Sequence, residues 1–154
     1  MKVACIQLSS GENYNKNFKD IIKYINQAIN NKADLIITPE TSSIMSADKN
    51  NLFKYSYEMK HDPIIKKVKF IAKKKKKWIL IGSMCVKEKN KLRNRSILIG
   101  PKGEINTYYD KINMFDVKVS KKEQHKESKV FIAGKKLLSS KLPWGKIGLS
   151  ICYD

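Results

Sequence analysis

Arginine, cysteine, histidine and long apolar runs are all scarce in this chain. Of 154 residues, 32 are lysine or arginine, but only Arg93 and Arg95 are arginine. Arginine supplies the planar fork that recognises phosphates and base edges, and the lysines are spread along the whole chain. The net charge of +18 therefore favours a solvated lysine-rich surface. A basic nucleic-acid-binding module stays open as the less favoured alternative.

The sequence also shows neither a pattern typical of a membrane-spanning helix nor one typical of a secretion signal. No apolar run approaches the ~20 residues that a membrane helix needs, and residues 1–8 turn polar too early for a signal peptide. We therefore expect a cytoplasmic protein with no membrane partner. The cysteines Cys5, Cys85 and Cys152 are odd in number and widely spaced, which favours neither a disulfide framework nor a zinc site. Cys5 and Cys85 lie in apolar strand-like runs and are expected to be buried.

The first third of the chain predicts a β-helix-β unit. A buried strand is expected over 2–8, and a helix over 14–30, where apolar residues recur at spacings of three, four and seven. Asn13 or Asn15 is expected to cap the start of this helix. A short strand over 34–38 follows. Strands joined by such a crossover are expected to be parallel neighbours, so the chain is assigned to the α/β class.

A second helix and two hairpins complete the predicted elements. In chain order these are a polar loop over 41–51, a helix over 62–77, a central strand over 78–86, a hairpin of strands 96–99 and 105–109, a long loop over 110–134, and a hairpin of strands 136–142 and 146–151. The last strand is apolar and is expected in the centre of a sheet. A domain rarely finishes on such a strand, so we expect residues 1–154 to be the incomplete N-terminal part of one domain.

Three reactive side chains each follow the carboxyl end of a predicted strand. These are Glu40, Lys111 and Cys152, and ligands of α/β sheets bind at that edge. A carboxylate can accept the thiol proton, while an ammonium group favours the thiolate and stabilises an oxyanion. The set therefore suits acyl transfer through a thioester. His61 and His125 lie in polar segments and are expected at the surface rather than as bases.

Three segments of the chain resemble the signature blocks of the nitrilase superfamily, the carbon–nitrogen hydrolases. They are residues 36–40, 109–116 and 148–154. Further matches occur at residues 3–8, 94–96, 127–134 and 142–148. The blocks stand in the right order over the whole chain, and the nearest branch is that of deaminated-glutathione amidases and omega-amidases.

The resemblance implies a role for each candidate residue. Cys152 would be the nucleophile, and Glu40 the general base that later protonates the departing amine. Lys111 would stabilise the tetrahedral oxyanion together with the backbone N–H of Tyr153. Glu127 matches the second glutamate of the family, which positions the substrate and the lysine; taken alone, it would be a solvated loop residue.

The resemblance also implies an architecture and a substrate class. The expected fold is a four-layer α-β-β-α sandwich of the nitrilase type, truncated here after the nucleophile strand. It implies a small linear amide as substrate, no metal, no organic cofactor, and a homo-oligomer paired across the helices. Asn113 stands where close relatives often carry histidine, which leaves the substrate open. An inactive fragment or pseudo-enzyme of the same fold is the alternative.

Overall fold

A five-stranded mixed sheet forms the centre of the molecule in the computed structural model, which describes residues 1–118, 120 and 124–154. Its strands are β1 (Val3–Cys5), β2 (Leu35–Ile37), β3 (Trp78–Glu88), β4 (Lys91–Ile99) and β5 (Ile105–Asp110), in that spatial order. Strands β1, β2 and β3 are parallel, and β3, β4 and β5 are antiparallel. The change of direction follows from the connections, because a short turn joins β4 to β5 whereas helices join the parallel strands.

The helices begin and end at residues that suit their capping positions. Helix α1 (Tyr14–Asn30) starts after Asn13, whose side chain accepts a hydrogen bond from the Lys16 amide. The short helix α2 (Lys49–Lys54) follows Asp48. Helix α3 (Pro63–Lys75) has proline in its first turn, where no amide hydrogen is needed, and three lysines in its last turn, where cations suit the helix dipole.

Two small hairpins complete the described structure. Strands β6 (Asp116–Lys118) and β7 (Gln124–Lys126) form the first, and a 3-10 turn over Glu127–Lys129 follows it. Strands β8 (Ser139–Leu142) and β9 (Gly145–Gly148) form the second. No helix in the described part of the chain is long and apolar enough to span a membrane.

Apolar side chains cover both faces of the sheet because successive strand residues alternate between faces. On one face, Ile36, Ile79 and Ile97 pack with the buried residues of α1 and α3. The opposite face contacts the region of the second hairpin, through the cluster of Leu35, Leu80, Leu98, Tyr109, Leu142, Leu149 and Ile151. The sheet is therefore the middle layer. The edge at which its parallel strands end lies between the helices on one face and the region of the second hairpin on the other.

Several sequence predictions are confirmed. The α/β class is correct, α1 has the predicted bounds, and β1 and β2 are parallel neighbours. Strand β3 lies in the centre of the sheet, and both predicted hairpins are present. His61 is exposed, as expected. The side chain of His125 lies outside the part of the structure that is described.

The prediction of a buried first strand is wrong. Strand β1 is short and forms an edge of the sheet, Val3 is 40% exposed, and Cys5 is exposed rather than buried. An edge strand has a neighbour on one side only, so its apolar composition does not ensure burial. Cys85, on the central strand, is buried as expected.

Three further predictions need correction. The polar loop over 41–51 runs into α2, which Asp48 caps, and the long loop over 110–134 contains β6, β7 and the 3-10 turn. The last strand, β9, pairs with β8 and is not central in the five-stranded sheet. Leu149 and Ile151, which come after it, are buried by packing on the sheet face instead, so an apolar run was mistaken for a central strand.

Candidate active site

Glu40 lies in a turn that is held against an irregularity in β3. The pairing of β3 with β4 shifts register between Ile81 and Met84, which exposes backbone groups to the turn. There the Thr41 amide donates to Ser83 Oγ at 2.9 Å. Gly82 makes this approach possible, because a Cβ at its position would lie 2.0 Å from a backbone carbonyl oxygen of the turn. The bulge therefore fixes the backbone that carries the Glu40 carboxylate.

Lys111 is anchored by its backbone and buried by its side chain. Its amide donates to the Asn94 carbonyl at 3.0 Å, and its carbonyl accepts from the Gly134 amide at 2.7 Å. The residue is only 2% exposed. Its Nζ lies 2.9 Å from Glu127 Oε2 and 3.6 Å from Glu40 Oε1. One buried cation is thus shared by two carboxylates.

Glu127 takes a defined position in the 3-10 turn. The Phe115 amide donates to Glu127 Oε2 at 2.8 Å, the oxygen that also accepts from Lys111. The Asn94 side chain donates to Glu127 Oε1 at 3.5 Å and to Glu40 Oε1 at 2.9 Å. Glu127 therefore belongs to the cluster and is not a solvated loop residue.

Cys152 is the second residue of a tight turn that follows β9. Its φ of +50° is in the left-handed region, which costs an ordinary L-residue about 1 to 3 kcal/mol and is found in strained turns at functional sites. The thiol is accessible, because Cys152 is an exposed free cysteine. The Asp154 amide closes the turn on the Ile151 carbonyl at 3.1 Å.

The Asp154 carboxylate joins this turn to the segment that carries Lys111. It accepts from the Tyr109 hydroxyl at 2.7 Å, from the Asn113 amide at 2.8 Å and from the Ile112 and Ile151 amides, both at 3.1 Å. Burial alone would raise the pKa of Asp154, but these hydrogen bonds outweigh it and hold the pKa below its usual value.

The charges around Cys152 determine its resting state. Partial burial and the Glu40 carboxylate raise the pKa of the thiol, and the opposing effect of Lys111 is smaller. Burial alone would lower the pKa of Lys111, but Glu127, Glu40 and Cys152 together raise it. The site therefore holds a protonated thiol, a charged ammonium group and two carboxylates. A protonated thiol needs a base before it can attack, and Glu40 is the carboxylate next to it.

All four residues selected from the sequence meet in this site: Glu40, Lys111, Glu127 and Cys152. Asn94 and Asp154 were not selected, although both lie inside the matching blocks. The sequence signal for Asn94 was an amide in the middle of a strand, and the signal for Asp154 was a carboxylate two residues after the Cys152 thiol. Within the described ranges, no group of three or more histidine, cysteine, aspartate or glutamate side chains could hold a metal ion.

The chain is similar to known proteins along its whole length. Residues 2–154 match the family model described as carbon-nitrogen hydrolase. A deaminated glutathione amidase from Yersinia enterocolitica is 31% identical over 99% of this chain and 54% of its own length. The human omega-amidase NIT2 is 28% identical over 99% of this chain and 55% of its own length. The resemblance to these two branches is thereby confirmed.

Solved structures agree with the sequence comparison. The crystal structure of the Caenorhabditis elegans NitFhit protein superposes with a TM-score of 0.88 at 26% identity, over 98% of this chain and 37% of that one. This confirms the nitrilase-type α/β fold. The chain spans about half the length of the curated relatives it matches. From the family match and the shared fold, the chain belongs to the carbon–nitrogen hydrolases of the nitrilase superfamily.

Proposed function

We propose that the protein hydrolyses the C–N bond of a small linear amide through a thioester on Cys152. The observation that carries this proposal is the buried Lys111 ammonium group, which is shared by Glu40 and Glu127 at the edge of the sheet where Cys152 stands. Relatives named as amidases support the substrate class.

The first half-reaction forms the thioester. Glu40 accepts the proton of the Cys152 thiol as the sulfur attacks the amide carbon, and the carbonyl oxygen becomes an oxyanion. The Lys111 ammonium group stabilises that charge, because a fixed cation that is itself buried is most effective. The tetrahedral intermediate then collapses with cleavage of the C–N bond. Glu40 returns its proton to the nitrogen, which leaves as ammonia or an amine.

The second half-reaction restores the enzyme. Glu40 accepts a proton from water as the water oxygen attacks the thioester carbon, and Lys111 again stabilises the oxyanion. The C–S bond then breaks, the product leaves as a carboxylic acid, and the sulfur recovers its proton from Glu40. Glu127 holds Lys111 in place throughout, through its contact of 2.9 Å. No redox step or external co-reactant other than water is required.

Ammonia release from a panel of small linear amides tests this proposal in the full-length protein. Wild type is expected to turn over at least one amide, and Cys152→Ala is expected to turn over none. Cys5→Ser, at another exposed cysteine, is the matched control. Circular dichroism confirms that the Ala variant is folded. Unchanged turnover in Cys152→Ala would exclude the thioester route. An inactive, folded wild type would favour the pseudo-enzyme alternative.

Four expectations from the sequence stay predictions, and each has a direct measurement. Light scattering measures the expected homo-oligomer, and cell fractionation measures the expected cytoplasmic location. Metal analysis of the active protein tests the expected lack of a metal and cofactor. Limited proteolysis tests whether residues 1–154 belong to one carbon–nitrogen hydrolase domain.

A further inference from the structure

Asn94 contacts the three charged residues of the proposed site and has no part in the chemistry derived above. Its carbonyl accepts from the Lys111 amide at 3.0 Å. Its Nδ2 donates to Glu40 Oε1 at 2.9 Å and to Glu127 Oε1 at 3.5 Å. We propose that Asn94 is a positioning residue that holds Glu40 with one carboxylate oxygen directed to the Cys152 proton. This inference rests on the proposed function.

The hydrogen-bond pattern of Glu40 is the basis of this inference. Oε1 of Glu40 accepts from Asn94 and lies 3.6 Å from the Lys111 ammonium group, so both contacts fall on the same oxygen. This arrangement leaves Oε2 as the oxygen that takes the thiol proton. The Glu40 side chain is 35% exposed, so packing alone does not fix its rotamer. A misplacement of about 1 Å can cost about 10²-fold in rate, which makes the Asn94 bond important for the reaction.

The loss of stability that comes with the orientation of the Asn94 amide also indicates a functional role. Asn94 is 2% exposed, and among the described residues its Oδ1 has no hydrogen-bond partner. A buried acceptor without a partner destabilises a fold. The amide directs its nitrogen to the two carboxylates and leaves its oxygen unpaired. Such an exchange of stability for geometry is expected at functional sites.

A neutral donor suits this position because of the charges that face it. Glu40 approaches Asn94 from the turn after β2, and Lys111 approaches it from the segment after β5. Glu127 approaches from the 3-10 turn, and Cys85 is the cross-strand partner of Asn94 on β3. Cys152, in the turn after β9, interacts with Glu40. Cys85 is buried, and burial, together with Glu127 and Glu40, raises its pKa to about 12, so it stays neutral. A carboxyl group introduced at position 94 would meet two carboxylates, which favour its protonated form.

This environment predicts opposite pH behaviour for two substitutions. In Asn94→Asp the isosteric carboxyl group can donate to Glu40 only while it is protonated. Its activity relative to wild type should therefore increase as the pH falls from about 8 to about 6. In Asn94→Ala no donor is present at any pH, so the ratio to wild type should stay low and flat. A merely structural role for Asn94 predicts no such difference between the two variants.

The experiment measures kcat and KM for amide hydrolysis in the full-length protein as a function of pH. We expect kcat to fall by about 10²-fold in both variants near pH 8 while KM changes little, since the loss is in proton transfer. Asn17→Ala is the matched control, because Asn17 is also a buried asparagine and its Nδ2 donates to the Gly11 and Ser43 carbonyls, not to a residue of the site. It should keep wild-type kcat.

The outcomes separate this inference from the proposed function. An active wild type with kcat unchanged in Asn94→Ala would overturn the positioning role alone. Parallel pH profiles for the Asp and Ala variants would overturn it as well. An inactive wild type would overturn the proposed function, and the positioning role with it.

Discussion

The hydroxyl group of Tyr109 donates to Asp154 Oδ2 at 2.7 Å, and Tyr109 is fully buried. Together with the bonds from the Ile112 and Asn113 amides to the same carboxylate, this bond joins the end of β5, which leads to Lys111, to the turn that carries Cys152. Tyr109 and Asp154 lie 45 positions apart in the chain, so the bond helps to fix the distance between two distant parts of the chain at the site.

Removal of that hydroxyl group should therefore lower both catalysis and stability. We expect Tyr109→Phe to lower kcat by about 10-fold, because the nucleophile turn loses one anchor. Unfolding free energy should fall by about 1 to 2 kcal/mol. The matched control is Tyr108→Phe, since Tyr108 is the next residue on the strand and is 41% exposed. Equal kcat values for the two variants would show that the Tyr109 bond does not position Cys152.

Glu127 offers a second test, because it holds the buried Lys111. Glu127→Gln removes the charge from the 2.9 Å contact and should lower kcat/KM by about 10²-fold. Stability should fall by about 2 kcal/mol, since a buried cation loses its nearest partner. Glu58→Gln is the control for a surface ion pair, with Lys60 at 3.4 Å, and should change neither. Full activity in Glu127→Gln would exclude a role for this carboxylate.

The close approach at Gly82 predicts a steric effect on the turn that carries Glu40. A Cβ at this position would lie 2.0 Å from the Thr38 carbonyl oxygen and 2.9 Å from the Pro39 carbonyl group. Gly82→Ala should therefore move the Glu40 backbone and lower kcat by at least about 10²-fold. Gly11→Ala, where nothing lies within 4 Å of the added atom, should keep kcat. A crystal structure of Gly82→Ala with an unmoved turn would contradict this explanation.

Asp62 predicts the pH dependence of stability. Its Oδ1 caps α3 by accepting from Ile65 at 3.0 Å, while Oδ2 is buried with no partner among the described residues. Burial raises the pKa of Asp62 to about 6, against hydrogen bonds from the helix and the charge of Lys66. Between about pH 4 and pH 6 the native state therefore binds more protons than the unfolded state, so stability falls as the pH rises.

The size of this effect is on the order of 3 kcal/mol for a pKa increase of about two units. Denaturant unfolding at several pH values measures it. Asp62→Asn keeps the cap without the charge and should remove this part of the pH dependence, with a gain in stability near pH 7. A slope between about pH 4 and pH 6 that is the same in wild type and variant would contradict the assignment to Asp62.

The parts of the fold that the sequence predicted well have a strong local signal. Helix α1 has regular apolar spacing and an asparagine cap, so both of its ends were found. Glu40, Lys111 and Cys152 each follow a strand, and the resemblance in three blocks supported that pattern. Residues 91–95 of β4 were missed because Lys91, Arg93 and Arg95 leave Leu92 as the single apolar residue among them. In the structure these side chains form ion pairs with Glu88 and Asp110.

The remaining features depend on long-range packing that local patterns do not encode. The exposure of Cys5 follows from the position of β1 at the edge of the sheet, which no residue of that strand reveals. The role proposed for Asn94 depends on contacts with residues 33 and 54 positions away. A single amide in a strand gives no sign of such partners before the chain is folded.

The central claim is that Cys152 is the nucleophile of the site, and covalent labelling tests it most directly. The full-length protein is treated with 2-fluoroacetamide, an amide whose poor leaving group spares ordinary thiols, and peptides are mapped by mass spectrometry. Cys5, which is also exposed, is an internal control. We predict displacement of fluoride and one acetamide group on Cys152, none on Cys5, and much slower labelling in Glu40→Gln. Labelling of Cys5 at the rate of Cys152, or no labelling of Cys152 in an active protein, would contradict the claim.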